Sequence, residues 1–463
     1  MILPVLSAVL GILAFLPFNY FWPAGFIFPA PLFIFFIRKN NIWRLIGGVV
    51  IFRLIMMSGA VYFAMEPIVW GSSILIFMIL PFSVFLLKRI LAAAPEIKTE
   101  SLKLTILFFL PLIWTFSDHI QARYTLLPNY IMTAGNSLGS SPFLGLGALG
   151  LAGLTFFASL ISALAAAIFV INIKKIKFGA IAAILLLLSG GLIISRFELQ
   201  KNSRHYAALE NSLKIAAVSA NEKFDALTLD DLESELSTKG KIDLLILPEN
   251  IFKNSTDIGF YQNLAKKLNI NLIASLDIVR QEKKYNSSLL IDNHGEIIGF
   301  HDKSRLTFMG EYWPFKNWRP VYLDWLKKFD LNIGNYVVFN PDNPYRRGEK
   351  NLLTIRGQTD SINFASLICL EIHYPADLKK YKKMGAKFFI NHTSNRWADI
   401  GLKHLLYLTL NLRKIESVWL KTPVVFAGIK DFAGFIAPDG ATSLIDFENE
   451  SKNYGLFIGE MRY

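Results

Sequence analysis

The sequence is poor in cysteine and in charge. Cys369 is the only cysteine among 463 residues, which excludes a disulfide within the chain. Charged residues make up 18% of the chain and hydrophobic residues 53%, a balance too apolar for an ordinary soluble domain of this length. The sequence also contains no internal repeat and no low-complexity tract. Its composition therefore predicts a membrane protein.

The apolar excess lies in the first two hundred residues, where we predict seven membrane spans. Several of them are shorter than the ~20 residues that cross a bilayer upright. The first lacks a basic segment and a small-x-small cleavage site, and residues 16–23 join it directly to the second. We therefore favour a retained span over a signal peptide. The seven segments are 2–16, 24–37, 45–65, 72–87, 104–117, 148–171 and 178–194.

Lysine and arginine are unevenly distributed among the loops that join these segments. The odd-numbered loops hold only Arg123, whereas the even-numbered loops hold Arg38, Lys39, Arg44, Lys88, Arg89, Lys98, Lys103, Lys174, Lys175 and Lys177. By the positive-inside rule, the even loops and the amino terminus face the cytoplasm, and the chain leaves the seventh span on the outer face. We divide the chain into a transmembrane helical domain, 1–195, a linker, 196–212, and an extracytoplasmic domain, 213–463.

Short apolar runs alternate with helical patterns in residues 213–463. Many of the runs are β-branched, as in strands covered on both faces, and residues 292–295 and 438–440 have the composition of tight turns. This pattern predicts an α/β domain with sheets flanked by helices. The predicted strands are 213–218, 242–247, 272–275, 287–291, 362–368, 387–390 and 424–427.

Three chemically useful side chains lie next to apolar strand patterns in this half. Glu249 and Cys369 each follow such a pattern directly, and Lys303 lies in a loop before another apolar run. A thiol, a carboxylate and an ammonium are the parts of a cysteine nucleophile, its base and an oxyanion stabiliser. Each also has an ordinary explanation: Cys369 as core packing, Glu249 as a helix cap and Lys303 as a solvated loop lysine.

The same segments resemble the Glu-Lys-Cys triad of the nitrilase superfamily in order and context. The likeness is carried by Pro248-Glu249, by Lys303 with Gly310-Glu311 downstream, by Ile368-Cys369-Leu370-Glu371, and by a run from Lys403 to Glu416 similar to the family's helix after the nucleophile. The resemblance implies an αββα sandwich. It also implies catalytic roles for Glu249, Lys303 and Cys369. Glu311 would assist the triad and Glu371 would brace the nucleophile's strand, although either side chain also fits an ordinary salt bridge.

Residues 13–24, 111–114 and 139–154 extend the resemblance to the apolipoprotein N-acyltransferases, membrane enzymes that complete bacterial lipoprotein maturation. This implies a multi-pass inner-membrane enzyme with its catalytic domain on the periplasmic face. Such an enzyme transfers a fatty acyl chain from a phospholipid to the N-terminal amine of an S-diacylglyceryl-cysteine apolipoprotein. The acyl group would pass through a thioester on Cys369, with the backbone N–H of Leu370 beside Lys303 at the oxyanion. Neither a metal nor another cofactor is implied, and we expect a monomer.

Aromatic and basic residues crowd the segment after Glu311. Such a mixture favours an arm at a membrane interface, where rings lie at headgroup level and ammonium groups reach phosphates. We expect the net charge of +12 to serve the cytoplasmic loops and anionic lipid and not nucleic acid. Arg53, inside the third segment, either snorkels or faces the bundle interior, where it could contact a headgroup. The arm's principal aromatic residues are Trp313, Phe315, Trp318 and Trp325.

Three departures from the family pattern leave other functions open. Family members usually carry one more span after this domain, Leu370 stands where the family typically has Tyr, and Asn395-Arg396-Trp397 lacks the acid of the family's motif. One alternative is therefore an N-acyltransferase with another amine acceptor. A second is a membrane-anchored amidase or other carbon-nitrogen hydrolase. A third is a non-catalytic lipid-binding relative.

Overall fold

The computed structural model describes residues 1–16, 21–60, 67–93, 99–126, 130–251, 257–308, 310–313, 321, 344–357, 360–396, 403–446 and 453–463. The chain divides into two compact units. The first, the helical unit, comprises Met1–Asn202 and Gly401–Trp419. The second, the α/β unit, comprises Ser203–Ile400 and Leu420–Tyr463. Residues 401–419 therefore group with the helical unit, although the sequence placed them in the extracytoplasmic domain.

The helical unit consists of α-helices joined by short loops and 3₁₀ turns. A helix occupies the described part of each of the seven predicted segments. The helices are α1 (Ile2–Phe15), α2 (Ala24–Ile27), α3 (Pro29–Arg38), α4 (Ile42–Ala60), α5 (Pro67–Phe77), α6 (Ile79–Ala92), α7 (Thr99–Tyr124), α8 (Gly150–Val170) and α9 (Lys174–Ala207), with most of the helix Lys403–Leu420 added from later in the chain.

Four helical stretches in the described residues are long and apolar enough to cross a membrane. They are Trp70–Ala92, Thr99–Tyr124, Leu144–Val170 and Lys174–Ala207. Two further apolar helices, Ile2–Phe15 and Ala24–Arg38, are shorter. Because an α-helix rises ~1.5 Å per residue, neither reaches across the ~30 Å of a bilayer core when upright. The helical unit thus contains four candidate spans, and the prediction of seven goes beyond them.

The predicted linker is mostly helical. Helix α9 continues through it as far as Ala207, and strand β1 begins at Ser212. Residues 195–212 contain neither glycine nor proline, so a helix that has already formed in the apolar segment propagates through them at little cost. Their polar composition marks the end of the apolar stretch and not the end of the helix.

The α/β unit contains β1 (Ser212–Ala220), β2 (Leu244–Glu249), β3 (Asn271–Arg280), β4 (Lys283–Ile291), β5 (Ile297–Asp302), β6 (Leu353–Arg356), β7 (Ser361–Ile368), β8 (Phe389–Ser394), β9 (Val424–Ile429), β10 (Ala433–Ile436), β11 (Thr442–Ile445) and β12 (Tyr454–Arg462). Its helices are α10 (Ala226–Ser237), α11 (Ile258–Leu268) and α12 (Pro375–Lys383). All seven predicted strands are confirmed. Strands β5, β6, β11 and β12 were not predicted.

The strands follow the order β5-β4-β3-β2-β1-β9-β8-β7-β6, and β4 and β5 near one end of this path lie close to β7 and β6 at the other. Inward-facing residues of β1 to β4 share one apolar core with residues of β6 to β9. Across that core, Ser366 Oγ of β7 donates to Ser288 Oγ of β4 at 2.8 Å. The opposite face of β1 to β4 packs against α10 and α11 in a second core. These layers confirm the predicted α/β domain.

The directions of the strands explain how distant residues come together. Strands β1, β2 and β3 are parallel, as are β7, β8, β9 and β1, and β5 returns to that direction because two antiparallel pairings separate it from β3. Since ligands of such sheets bind beyond the carboxyl ends of the strands, side chains that follow β2, β5 and β7 lie at the same edge.

Candidate active site

Glu249, Lys303 and Cys369 occupy that edge. Glu249 is the last residue of β2, Lys303 directly follows β5, and Cys369 directly follows β7. The Lys303 ammonium lies 3.3 Å from Glu249 Oε1, and the Cys369 thiol interacts electrostatically with Glu249, Lys303 and Glu311. The three side chains proposed from the sequence therefore form one cluster.

The backbone at Cys369 is strained. Its φ angle is +52°, in the left-handed region that non-glycine residues rarely adopt. Strand β7 ends at Ile368, and a 3₁₀ turn covers Cys369–His373. Asn391 Nδ2 donates to the Cys369 carbonyl at 3.2 Å, which helps to hold this conformation. The sharp turn places Cys369, which is half-buried as a residue, just beyond the strand end.

A second carboxylate and an amide complete the charged cluster. Glu311 Oε1 lies 2.9 Å from Lys303 Nζ. Asn286 Nδ2 donates to Glu249 Oε1 and to Glu311 Oε1, each at 2.8 Å. The backbone N–H of Thr307 donates to the other oxygen of Glu311 at 2.6 Å. One lysine and one amide thus hold two buried carboxylates in fixed positions.

The electrostatics of this cluster keep the resting thiol protonated. Burial raises the pKa of Cys369, and the charge on Glu249 raises it further, while Lys303 acts in the opposite direction. Burial also raises the pKa of Glu249. For Lys303, burial lowers the pKa, but the carboxylates of Glu249 and Glu311 outweigh it, so the net shift is strongly upward. The lysine is therefore a cation at neutral pH, and a carboxyl group with a raised pKa lies beside the protonated thiol.

Glu371 lies behind the thiol, not beside it. Its carboxylate accepts hydrogen bonds from the backbone N–H of Ile368 at 2.9 Å and from the backbone N–H of Ser304 at 2.8 Å. These two residues are the immediate neighbours of Cys369 and Lys303. Glu371 therefore connects the two chain segments, which extends its predicted role in bracing the nucleophile's strand.

The ordinary explanations for two of these residues are wrong. Lys303 is only 1% exposed, so it is not a solvated loop lysine. Glu249 is 6% exposed and ends a strand with its carboxylate held by Lys303 and Asn286, so it is not a helix cap. Leu370 follows Cys369 in the 3₁₀ turn.

The aromatic arm is described only at its start. Trp313 is 5% exposed and stacks on Phe308 with ring centroids 5.0 Å apart, so this ring packs inside the protein instead of facing a membrane. Phe315, Trp318 and Trp325 lie outside the described residues.

Arg53 lies in the interior of the helical unit. It is 1% exposed, donates to Ser73 Oγ at 2.8 Å and lies with its guanidinium 4.5 Å from the centroid of the Phe77 ring. It therefore does not snorkel towards a membrane surface.

Sequence reasoning missed Asn286, Thr307 and His301. Asn286 is 2% exposed in the middle of β4, and asparagine is disfavoured in strands. A polar residue in an otherwise buried strand pattern was therefore the available signal. The hydrogen bond from the backbone N–H of Thr307 had no corresponding signal in the sequence.

Comparisons with known proteins agree with this geometry. Residues 233–417 match the family model of the carbon-nitrogen hydrolases. This part of the chain is a domain of the nitrilase superfamily. The predicted resemblance to the nitrilase superfamily is thereby confirmed.

The relatives include several apolipoprotein N-acyltransferases at low identity. The protein of Pasteurella multocida is 25% identical and the match covers 94% of this chain and 85% of that protein. The protein of Rhizobium rhizogenes is 27% identical, and the match covers 45% of this chain and 39% of that protein. Apolipoprotein N-acyltransferase 2 of Treponema denticola is 25% identical, and the match covers 36% of this chain and 30% of that protein. In the last two cases the match spans less than two fifths of the relative's length.

Among solved structures, a branch 10 member of the nitrilase superfamily from Saccharomyces cerevisiae matches with a TM-score of 0.40 and 16% identity, covering 55% of this chain and 91% of that one. An amidase from Nesterenkonia sp. matches with a TM-score of 0.39 and 14% identity, with the same coverage of 55% and 91%.

Proposed function

We propose that this protein is a membrane-embedded N-acyltransferase. It moves a fatty acyl chain from a phospholipid to the N-terminal amine of an S-diacylglyceryl-cysteine apolipoprotein. The observation that carries the proposal is the Cys369 thiol on a strained turn beside the buried Glu249–Lys303 pair. Support for this substrate class comes from the Pasteurella multocida relative, because its match includes the helical unit as well as the α/β unit. The four candidate spans agree with lipid substrates.

In the first half reaction, Glu249 takes the proton of the Cys369 thiol as sulfur attacks the ester carbonyl of the phospholipid. The carbonyl oxygen becomes negative and is stabilised by the Lys303 ammonium and the backbone N–H of Leu370. The ester C–O bond then breaks, and the departing alkoxide takes the proton from Glu249. The products are a lysophospholipid and an acyl-thioester on Cys369.

In the second half reaction, the amine of the acceptor attacks the thioester and gives a proton to Glu249. The same oxyanion site stabilises the second tetrahedral intermediate. The C–S bond breaks, and the Cys369 thiolate leaves and recovers the proton from Glu249. The product is an amide, and the enzyme returns to its starting state without a cofactor.

We further propose that the chain spans the bacterial inner membrane seven times, with the α/β unit on the periplasmic side. The supporting observation is the charge difference between the even and odd loops. A reporter enzyme active only outside the cytoplasm, fused after Leu209 beyond the end of α9, is expected to be active. Activity of a strictly cytoplasmic reporter at the same junction would overturn the orientation.

The function is tested by mass spectrometry of the N-terminus of a reporter lipoprotein. In membranes that contain this chain as their sole N-acyltransferase, the diacylglyceryl-cysteine is expected to gain one fatty acyl group on its amine. The matched control is the same membrane with the Cys369→Ser variant. A free amine in both samples would reject apolipoprotein as the acceptor.

The family match favours a second candidate, a membrane-anchored amidase or other carbon-nitrogen hydrolase, in which water resolves the thioester. The two functions separate when the protein is supplied with phospholipid and an N-terminal diacylglyceryl-cysteine peptide. The transferase yields an N-acyl peptide, whereas a hydrolase yields free acid and leaves the peptide unchanged. A divergent transferase would acylate other amines in place of this peptide.

A further inference from the structure

His301 is a buried histidine whose ring nitrogens both face hydrogen-bond acceptors. The residue lies in β5 and is 0% exposed. Its Nδ1 is 2.8 Å from Asn351 Oδ1, and its Nε2 is 3.2 Å from Glu371 Oε2. The orientation of the Asn351 amide is fixed, because its Nδ2 donates to the Phe300 carbonyl at 2.7 Å. An amide oxygen therefore faces one ring nitrogen, and a carboxyl oxygen faces the other.

The carboxyl group of Glu371 is ionised in this arrangement. Oε1 accepts from the backbone N–H of Ser304 at 2.8 Å and from its hydroxyl at 2.6 Å. Oε2 accepts from the backbone N–H of Ile368 at 2.9 Å. A protonated carboxyl would replace an acceptor with a donor among these donors, whereas a carboxylate accepts all of them. Neither partner of His301 supplies a proton, so both ring nitrogens must carry one.

We infer that His301 is an imidazolium in the resting protein and that it positions Lys303 relative to Cys369 through Glu371. This inference rests on the proposed function, because it assigns His301 to the chemistry of that pair. His301 is a positioning residue, since its ring contacts Glu371 and Asn351 and not the thiol.

The ion pair of His301 and Glu371 connects the two chain segments that carry Lys303 and Cys369. His301 is two residues before Lys303, and Ser304 is the next residue after it. Glu371 is two residues after Cys369 and accepts from the residue before it. One carboxylate thus ties the end of β5 to the end of β7, and its charge is balanced by the imidazolium. Without the imidazolium, the hydrogen bonds to this buried carboxylate would come from the neutral donors of Ser304 and Ile368, with Arg305 as a more distant positive charge.

The groups around His301 define the pH range of the pair. Burial lowers the pKa of His301, but the charge and hydrogen bond of Glu371 and the hydrogen bond of Asn351 give a net increase. Burial raises the pKa of Glu371, and His301 and the backbone donors lower it to about 2. The other nearby titratable groups are Asp302 of β5, Tyr381 of α12 and His392 of β8.

The sign of the pH effect follows from these shifts. The folded-state pKa of His301 lies above its unfolded value. The pair's contribution is therefore complete below the unfolded value and is lost as pH rises through the folded one. Acid affects the pair only where Glu371 becomes protonated. We therefore expect the loss of the pair's contribution at alkaline pH to be the larger effect.

The protonation state is tested by ¹⁵N NMR of the full chain labelled with [¹⁵N]histidine in lipid nanodiscs. Among the seven histidines, the signals of His301 are those lost in His301→Gln or, should that variant not fold, in His301→Lys. We expect two protonated ring nitrogens at pH 7. One protonated and one bare nitrogen at that pH would overturn the inference.

The positioning role is tested by alkylation with iodoacetamide, which reports on Cys369 alone because the chain has no other thiol. We expect His301→Gln to change the alkylation rate by about tenfold or more, because the carboxylate loses its countercharge. His301→Lys retains a cation and should recover most of the wild-type rate. It should also move the alkaline limb of the pH profile upward, because an ammonium titrates higher than an imidazolium.

The matched control is His294→Gln in the exposed β4–β5 turn, which should leave rate and profile unchanged. If His301→Gln and His301→Lys had equal alkylation rates and the same alkaline limb in their pH profiles, the role of the charge would be rejected. Because alkylation needs no lipid, the predicted profile in a protein without acyl transfer would reject the proposed function alone. Acyl transfer with a neutral His301 would reject this inference alone.

Discussion

Two buried amide side chains, one in each unit, contrast in their hydrogen bonding. In the α/β unit, the Asn286 amide donates at 2.8 Å to both Glu249 and Glu311. In the helical unit, Gln121 is equally buried, but neither its amide nitrogen nor its amide oxygen has a hydrogen-bond partner among the described residues. The first side chain is part of a satisfied network, and the second is not.

The buried cations show the same difference. Lys303 makes ion pairs with two carboxylates, whereas Arg53 has one hydrogen bond to Ser73 and leaves its Nε without a partner in the described part of the chain. Because buried polar groups with fixed partners are costly to disturb, the α/β unit is organised in advance for chemistry. Gln121 should therefore tolerate substitution better than Asn286.

The largest expected effect is that of Lys303→Met. This change leaves Glu249 and Glu311 buried without a countercharge and removes the cation from the oxyanion site. We expect the acyl-enzyme to form about a thousand-fold more slowly and unfolding to become easier by about 3–5 kcal/mol. Acyl-enzyme kinetics and thermal unfolding measure the two effects. The control Lys283→Met, at the exposed first residue of β4, should behave as wild type; equal behaviour of the two variants would remove Lys303 from the site.

A smaller effect is expected for Glu311→Gln. As a base, Glu249 acts only when deprotonated, and its pKa is raised by burial and by Glu311. Acyl-enzyme formation should therefore fall on acidification at a pH above the ordinary glutamate range, and Glu311→Gln should move that limb to lower pH.

The same variant should slow acyl transfer by about ten- to a thousand-fold, because Lys303 loses one of its fixed partners. Measurements of the acyl-transfer rate across a range of pH give both the shift of the acidic limb and the loss of rate. Glu282→Gln, on the exposed β3–β4 turn, is the matched control. An unshifted limb with a wild-type rate would return Glu311 to the role of a simple salt-bridge partner.

The smallest effects compare the units directly through Asn286→Leu and Gln121→Leu. Asn286→Leu removes donors from two carboxylates and should destabilise the protein by about 1–3 kcal/mol. Gln121→Leu replaces an amide without hydrogen bonds by an apolar group of similar size, so it should be neutral or stabilising. Thermal unfolding in the same lipid compares them. A greater loss for Gln121→Leu would contradict the contrast between the units.

The site residues that could be predicted are those that lie next to strand patterns in the sequence. Glu249 and Cys369 directly follow long apolar runs, so their position at a sheet edge could be inferred before the strands were paired. The connection of Asn286 to both carboxylates could not, because it depends on how β4 pairs with β3 and β5, and a shift of one residue would turn its side chain to the other face.

The unpredicted strands have weak local signals. Strand β6 has four residues, and β12 contains Gly455 and Gly459 yet pairs with the whole length of β1. Glycine is disfavoured in strands, so this pairing depends on long-range contacts. The ion pair of His301 likewise joins residues 70 positions apart in the sequence, which no local pattern records.

The most direct test of the proposed mechanism is the mass of Cys369 after incubation of the full chain with phospholipid and no acceptor. The expected result is a gain of one fatty acyl group, released by hydroxylamine because a thioester is labile to that nucleophile. Cys369→Ser should fold but lose turnover, since a hydroxyl ionises far less than a thiol. A fully active Cys369→Ser variant, or no adduct under conditions where a lipoprotein becomes acylated, would contradict the covalent mechanism.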